Sequence, residues 1–371
     1  MNNPFESNIF PTLFIVPTGI GCPIGGYAGD AIPSARLIAA ASDCLITHPN
    51  VMNAASLYWN DQRIQYVEGY GLDRFAAGEI KLMPVLKQTI GLLLDKGLNQ
   101  ESRRRHLQVV DACRASLGLD IGSVITTDES LEVSLQRGES GSSWGTIRNP
   151  SSLLRAGEKL KDLGATAIAI VTKFPDDDSE SLNSYRKGIG VDALSGAEAV
   201  ISHLLVSHLS IPCAHTPAVP ILPINDHLDP RAAGEELGYT FLPCVLVGLS
   251  RAPDMIFKNQ EIKNSQINWI KGAKTIGIND IGAVIVPDGA LGGDAILSCI
   301  QKRIPLITVC NQGVLNITAN ALGLNKPDER KRKQLVFQAK NYLEAAGIVL
   351  SLREGINLES LRRPLNSVIE N

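Results

Sequence analysis

One pattern recurs three times along the chain: an apolar strand, a glycine-rich turn ending in an acidic residue, a helix, and a second apolar strand. The first copy runs Ile15-Val16-Pro17-Thr18-Gly19, then Gly25-Gly26-Tyr27-Ala28-Gly29-Asp30-Ala31, then Leu45-Ile46-Thr47-His48. The last runs Ile285-Val286-Pro287-Asp288-Gly289, then Gly292-Gly293-Asp294-Ala295, then Leu306-Ile307-Thr308-Val309. The middle copy aligns with the last without a gap, setting Asp192 through Gly196, Glu198, Ala199 and Ser202 against Asp288 through Gly292, Asp294, Ala295 and Ser298. Glycine lets a backbone turn sharply and approach a ligand, and a helix start offers free N–H groups and a positive dipole end. The pattern predicts an α/β fold with a doubly wound, largely parallel sheet and a polar cleft at its carboxyl edge. A plainer explanation stands beside this one. Tight turns use glycine whether or not they bind anything, and Asp30, Glu198 and Asp294 also fit helix caps or first-turn acids. Those carboxylates repel a bare phosphate, so the turns suit a ribose hydroxyl, an amine or a metal-bridged phosphate at least as well.

A length of 371 residues exceeds one ordinary domain and suggests two lobes or one large α/β domain with an extension. Hydrophobic residues at 44% with aromatics at 5% fit buried strands of Ile, Val, Leu and Ala. A net charge of −3 and a pI near 6.1 leave no electrostatic footprint for nucleic acid or an anionic membrane, so a small molecule is the expected partner, with self-association left open. The seven cysteines form no Cys-x-x-Cys pair and mostly sit in apolar runs, as free thiols of a reducing compartment do. No 18-residue apolar stretch occurs, and Met1 to Glu6 lacks the basic start and apolar core of a signal peptide; a cytoplasmic location is expected.

Along the chain, residues 49–84 are expected to be loop-rich, 85–97 and 101–117 helical, and 121–125 a strand. The Gly138 to Gly145 run breaks periodicity and reads as a linker or a mobile lid. A helix from Asn149 to Lys161, a strand to Thr172, a polar insert to Val191, and a strand over Phe241 to Leu249 are expected next, and a helix, strand and short helix close the chain. The division implied is an amino-terminal lobe over 1–137, a second over 149–325, and a carboxyl-terminal extension over 326–371.

Ligands in such sheets sit beyond the carboxyl strand ends. Thr18, His48, Lys173, His215, Arg251, Asp288 and Asn311 each follow an apolar run. Lys173, His215 and His48 are the catalytic candidates; Thr18, Gly19, Gly25, Gly26, Asp30, Asp192, Gly196, Glu198, Arg251, Asp288, Gly292, Gly293, Asp294 and Asn311 are the candidate ligand-binding positions. His48, before Pro49, and His215 each fit a structural role equally well, and Arg251 could pair with a surface carboxylate. Asp176-Asp177-Asp178 could hold Mg²⁺ but also suits a solvated loop, and no metal site is assigned. His203 and His208, five apart on the second unit's helix, lack the spacing of paired zinc ligands and read as ordinary helix residues. Neither G-x-G-x-x-G nor G-x-x-x-x-G-K-[ST] occurs in the turns, and Ser195 and Ser143 lack a nucleophile elbow, so no particular cofactor is implied.

The segments Pro17-Thr18-Gly19-Ile20-Gly21, Gly25 to Ala31, Thr47-His48-Pro49-Asn50-Val51-Met52-Asn53-Ala54, Thr172-Lys173-Phe174-Pro175, Gly190 to Ala199 and Pro287 to Asp294 resemble a family of unknown function known mainly from oxygenic phototrophs. The resemblance spans nearly the whole chain and implies no activity. The residues themselves suggest an enzyme acting on a small anionic, phosphorylated or nucleotide-like metabolite, with group transfer favoured over redox chemistry. Lys173 and Arg251 would neutralise the anion and His215 or His48 would move a proton. The alternative is a non-catalytic metabolite-binding or regulatory protein.

Overall fold

The computed structural model describes residues 9–54, 61–139, 142–175, 179–236, 240–258, 269–270, 272–313, 315–324, 335–365 and 367. Two parallel sheets form the core, as the α/β expectation requires. The larger has six strands: β1 (Thr12–Phe14), β2 (Leu45–Thr47), β3 (Ile64–Tyr66), β12 (Ala283–Pro287), β13 (Leu306–Val309) and β14 (Val336–Ala339). Their spatial order is β14-β13-β12-β1-β2-β3. The chain winds outward from β1 to β3, then returns to β1's other side and winds outward again, as in doubly wound sheets. β1 is the pivot, pairing Leu13 with Ile46 on one side and Val284 on the other. It is buried throughout, with Leu13 and Phe14 in the core and the hydroxyl of Thr12 satisfied by the Phe10 carbonyl at 3.0 Å.

The second sheet interrupts the first between β3 and β12. It holds β5 (Ile90–Leu94), β6 (Ile121–Thr126), β9 (Ala167–Lys173) and β10 (Cys213–Ala218), ordered β10-β9-β5-β6. The chain leaves the larger sheet through β4 (Ile80–Met83) and comes back through β11 (Asp254–Phe257), and these two strands pair antiparallel. The six-stranded sheet therefore draws on both ends of the chain. The division at 138–149 falls instead within a hairpin of β7 (Val133–Arg137) and β8 (Ser143–Ile147). The described residues 335–353 are no appendage either. β14 closes the sheet, and α11 (Tyr342–Arg353) packs on α1 (Ile32–Ser42) and sets Tyr342 edge-on to Phe14 at 5.2 Å.

Two expected elements exchange identity. Residues 90–94 within the expected helix 85–97 form the central strand β5, and the expected strand 241–249 is α9 (Leu242–Leu249). Both runs are apolar and buried nearly all round, so neither carries a period to separate helix from strand. Proline at the start of α9 was the usable clue. The expected helix 101–117 is α4 (Gln100–Leu117), capped by the Asn99 side chain and ended by Gly118. Helix α5 (Pro150–Asp162) begins at its proline as expected. The loop-rich stretch 49–84 contains α2 (Pro49–Met52), β3, α3 (Gly69–Ala77) and β4, and the polar insert contains α6 (Ser179–Arg186). Asp176, Asp177 and Asp178, like Trp59, lie outside the described residues.

Candidate functional site

A cavity of about 350 Å³ is lined by residues that follow strands of both sheets. All three turns reach it. Thr18 follows β1 and Ala28 comes from the first turn; Asp192 and Ser195 lead into α7 (Ser195–Leu209); Gly293 and Asp294 open α10 (Asp294–Gln301). His48 follows β2 and heads α2, and Glu68 follows β3 and heads α3. The short strands end together on one rim, so residues far apart in sequence meet there.

The second sheet contributes a bonded set. Glu198 and Ser202 stand one helical turn apart on α7, and His215 of β10 lies between them. His215 hydrogen-bonds Ser202 Oγ through Nδ1, and its Nε2 lies 3.3 Å from Glu198 Oε2. Both members of the His215–Glu198 pair are about 85% buried in their side chains, at 14% and 15% exposure, so their mutual charge is weakly screened. A second pair crosses between the sheets: His203 Nε2 of α7 lies 3.0 Å from Glu68 Oε1. Burial pulls the His203 imidazole down, but the hydrogen bond and charge of Glu68, with Asp73 behind it, override that and hold it above its ordinary value. His48 is the opposite case. Burial lowers it to about 4, and its Nε2 accepts the Val16 N–H at 3.0 Å.

The helix starts that would hold an anion already hold the protein's own oxygens. Glu68 Oε2 accepts the Tyr70 N–H of α3 at 2.8 Å, and Asp73 Oδ1 accepts the Ala295 N–H of α10 at 3.0 Å. Asp192 Oδ1 accepts the Leu194 N–H at 2.9 Å just before α7. Burial raises Asp73 above the ordinary carboxylate value. Glu68, Asp73, Asp192, Glu198 and Asp294 line the cavity, and no lysine or arginine among the described residues does.

Of the residues singled out in the sequence, Thr18, His48, Asp192, Glu198, His215, Gly293 and Asp294 meet at the cavity. The others do not. Lys173 ends β9 exposed, its N–H donating to Asp95 Oδ2 at 3.2 Å, and Arg251 sits in the turn after α9. The two cations expected to neutralise an anion thus lie elsewhere, and Lys173 does not share a cavity with His215. Gly25 and Asp30 close their own turn, with the Gly25 N–H donating to Asp30 Oδ1. Asn311 Nδ2 donates to the Asp288 carbonyl at 3.3 Å. Gly19, Gly26, Gly196 and Gly292 abut other chain segments: a Cβ on Gly19 would lie 2.7 Å from Ser143 Oγ, on Gly26 2.3 Å from the Cys22 carbonyl, and on Gly292 2.6 Å from Ile317. Their smallness serves packing. Ser143 and Ser195 join Oγ to Oγ at 2.9 Å, which ties β8 to the start of α7.

Sequence reasoning missed Glu68, Asp73, Ser202 and His203. For Ser202 a signal existed, since Glu198 and Ser202 at i and i+4 share a helix face. For His203 none did, because its partner arrives from another lobe. Also missed was Asp95, buried at the carboxyl end of β5, where it takes the N–H groups of Gly97, Leu131 and Lys173 and so fills the second sheet's own crevice. Glu235 of α8 (Pro230–Glu236) covers the first turn by accepting from the Ala28 N–H and from Tyr185 Oη, and burial holds its carboxyl well above the ordinary range. Among the described residues no group of three or more His, Cys, Asp or Glu side chains is placed to hold a metal, and no helix is long and apolar enough to cross a membrane.

The chain is 47% identical over 352 residues to an uncharacterized lipoprotein of Synechococcus sp., a match covering 94% of this chain and 92% of that relative. No solved structure matches it. Residues 11–362 match a family described as protein of unknown function (DUF3326), and this resident of the two-sheet, acid-lined architecture belongs to that family.

Proposed function

We propose that the protein is an enzyme that moves a proton, in a group transfer, on a small metabolite bearing a basic nitrogen or several hydroxyls. The observation that carries this reading is His215, held between Ser202 and Glu198 on the cavity wall. A histidine set against a carboxylate on one side and a hydroxyl on the other is held in one orientation toward a ligand, as a residue that moves a proton must be. The lining supports a reading of the ligand's charge. With five carboxylates and no lysine or arginine among the described residues, the wall favours a cation or a hydroxyl donor over the anion expected from sequence. Metabolite binding without turnover is the second reading, favoured by both His215 nitrogens being engaged within the protein.

Native mass spectrometry of freshly purified protein tests the pair. A co-purifying metabolite with a basic nitrogen or several hydroxyls is expected, and Glu198→Gln should slow its conversion by about 10²-fold or more. Recovery of a phosphorylated, purely anionic metabolite at this cavity would overturn the charge argument, and unchanged recovery of the bound molecule after long incubation would leave the binding protein.

A cytoplasmic location with a small-molecule partner belongs to the same proposal. The Synechococcus relative is named a lipoprotein. Lipidation of a bacterial protein requires a cysteine that becomes the new amino terminus behind a removed apolar segment. In this chain Cys22 follows the apolar run Leu13 to Val16, yet it is 5% exposed, and removing what precedes it would remove β1, the pivot of the larger sheet. The intact mass of the purified protein should show an unmodified Cys22; a diacylglyceryl adduct there would show that this chain is anchored and that the sheet forms differently.

A further inference from the structure

His48 carries a donor that the protein itself does not use. The ring is 8% exposed and lines the cavity. Its Nε2 accepts the Val16 N–H, so Nε2 bears no proton and, in the neutral ring, Nδ1 must. Protonating Nε2 would set two donors against each other at 3.0 Å. His48 also heads α2 without making a side-chain cap bond, and among the described residues no partner takes Nδ1–H. Its neighbours bond elsewhere. Asn50 Nδ2 donates to the carbonyls of Val16 and Gly25, and Asn53 Oδ1 accepts from Tyr66 Oη. A donor fixed in direction and open to the cavity, with no partner inside the protein, is completed by a ligand acceptor that takes the place of water there.

We propose that His48 is a specificity-determining hydrogen-bond donor: its Nδ1–H receives a carbonyl or hydroxyl oxygen of the ligand, and the cavity selects small molecules that join such an oxygen to a basic nitrogen. The nitrogen's place, toward Asp192, Glu198 and Asp294, rests on the cationic reading of the proposed function; the oxygen's place rests on His48 alone. Because the imidazole stays neutral, the cavity's excess negative charge is not offset at this position, and the oxygen bound here is uncharged. A carboxylate at the same spot would share the cavity with the lining acids.

Two measurements test the assignment. Long-range proton–nitrogen correlation spectra of histidine-labelled protein should show His48 as the Nδ1–H tautomer. An Nε2–H tautomer overturns the proposal. Then glycinamide, ethylamine and acetamide are titrated at neutral pH as probes. In the wild type glycinamide should bind about fivefold more tightly than ethylamine, the worth of one neutral hydrogen bond, and should shift the His48 Nδ1 resonance. His48→Gln can keep an acceptor near the Val16 N–H while lacking the Nδ1–H, and should abolish the preference; His48→Asn should keep a donor near the Nδ1 position and retain part of it. Equal binding of the two amines in the wild type, or an unchanged preference in His48→Gln, overturns the role of His48 alone. Binding of acetamide with neither amine bound overturns the cationic reading, and with it the pairing of oxygen and nitrogen stated here.

Discussion

Two buried groups oppose each other in their effect on stability. His48 is lowered from 6.5 to about 4 by burial, so the unfolded chain takes up its proton first. Its contribution is present above pH 6.5 and lost as pH falls through about 4, amounting to about 3 kcal/mol. Asp30 is raised from 3.8 to about 6, mainly by burial against the pull of the Gly25 N–H, and its contribution is present below 3.8 and lost as pH rises through about 6. The two nearly cancel in the wild type across the same window. Denaturant unfolding between those limits should therefore show His48→Gln losing less stability on acidification than the wild type, and Asp30→Asn losing more. A parallel pH dependence in all three proteins would show that neither group is buried as described. The first turn makes a separate demand. Gly25 has φ +89°, and a Cβ there would lie 2.4 Å from Val16 Cγ1. Gly25→Ala should cost about 2–4 kcal/mol of unfolding free energy, from the left-handed backbone and the overlap together.

Among the elements, the β7–β8 hairpin departs most from its sequence reading. Glycine and serine suggested mobility, yet β8 lies along α7, with Ser143 accepting the Gly196 N–H at 3.3 Å and Gly145 buried. Those small residues permit close approach: a Cβ on Gly196 would fall 2.3 Å from the Ser143 carbonyl. Gly196→Ala should push β8 off the helix, raising hydrogen exchange over 133–137 and 143–147 and costing about 1–3 kcal/mol. Protection that stays at the wild-type level would mean that the helix start has room to shift. Trp144 of β8 is 46% exposed.

Across the whole molecule, the inserted lobe meets the larger sheet's lobe around the cavity. The ties include Glu68 to His203, Tyr27 Oη to the Tyr185 carbonyl at 2.8 Å, and the Ser143 N–H to the Gly19 carbonyl at 3.3 Å. His203 is raised above 6.5, so the ionic part of the first tie is present below that value and lost as pH rises through the raised one. Hydrogen exchange at the starts of α3 and α7, corrected for intrinsic rates, should quicken on raising the pH past that point. Glu68→Gln should quicken it already at neutral pH and remove most of the pH dependence. A variant indistinguishable from the wild type would show that the other contacts hold the lobes alone. The sheet order also explains why a linear division of the chain misleads: pairing of β1 with β12 joins residues about 270 apart, so the lobe boundary coincides with no compositional break.

The sequence by itself determined the α/β class, the three turns and their carboxyl-edge location, because strand–turn–helix handovers and caps are local chemistry. Asn99, Pro150 and Gly118 mark helix ends in any context. It also pointed to His48, His215, Glu198, Asp192 and Asp294, since residues that end buried strands or open helices share an edge. Only the tertiary structure decided that Lys173 and Arg251 stay outside the cavity, that Glu68 meets His203, and that the wall is acidic. Those outcomes depend on which strands neighbour β1 and on how one lobe is set against another, and such distances follow from long-range packing that no local spacing encodes.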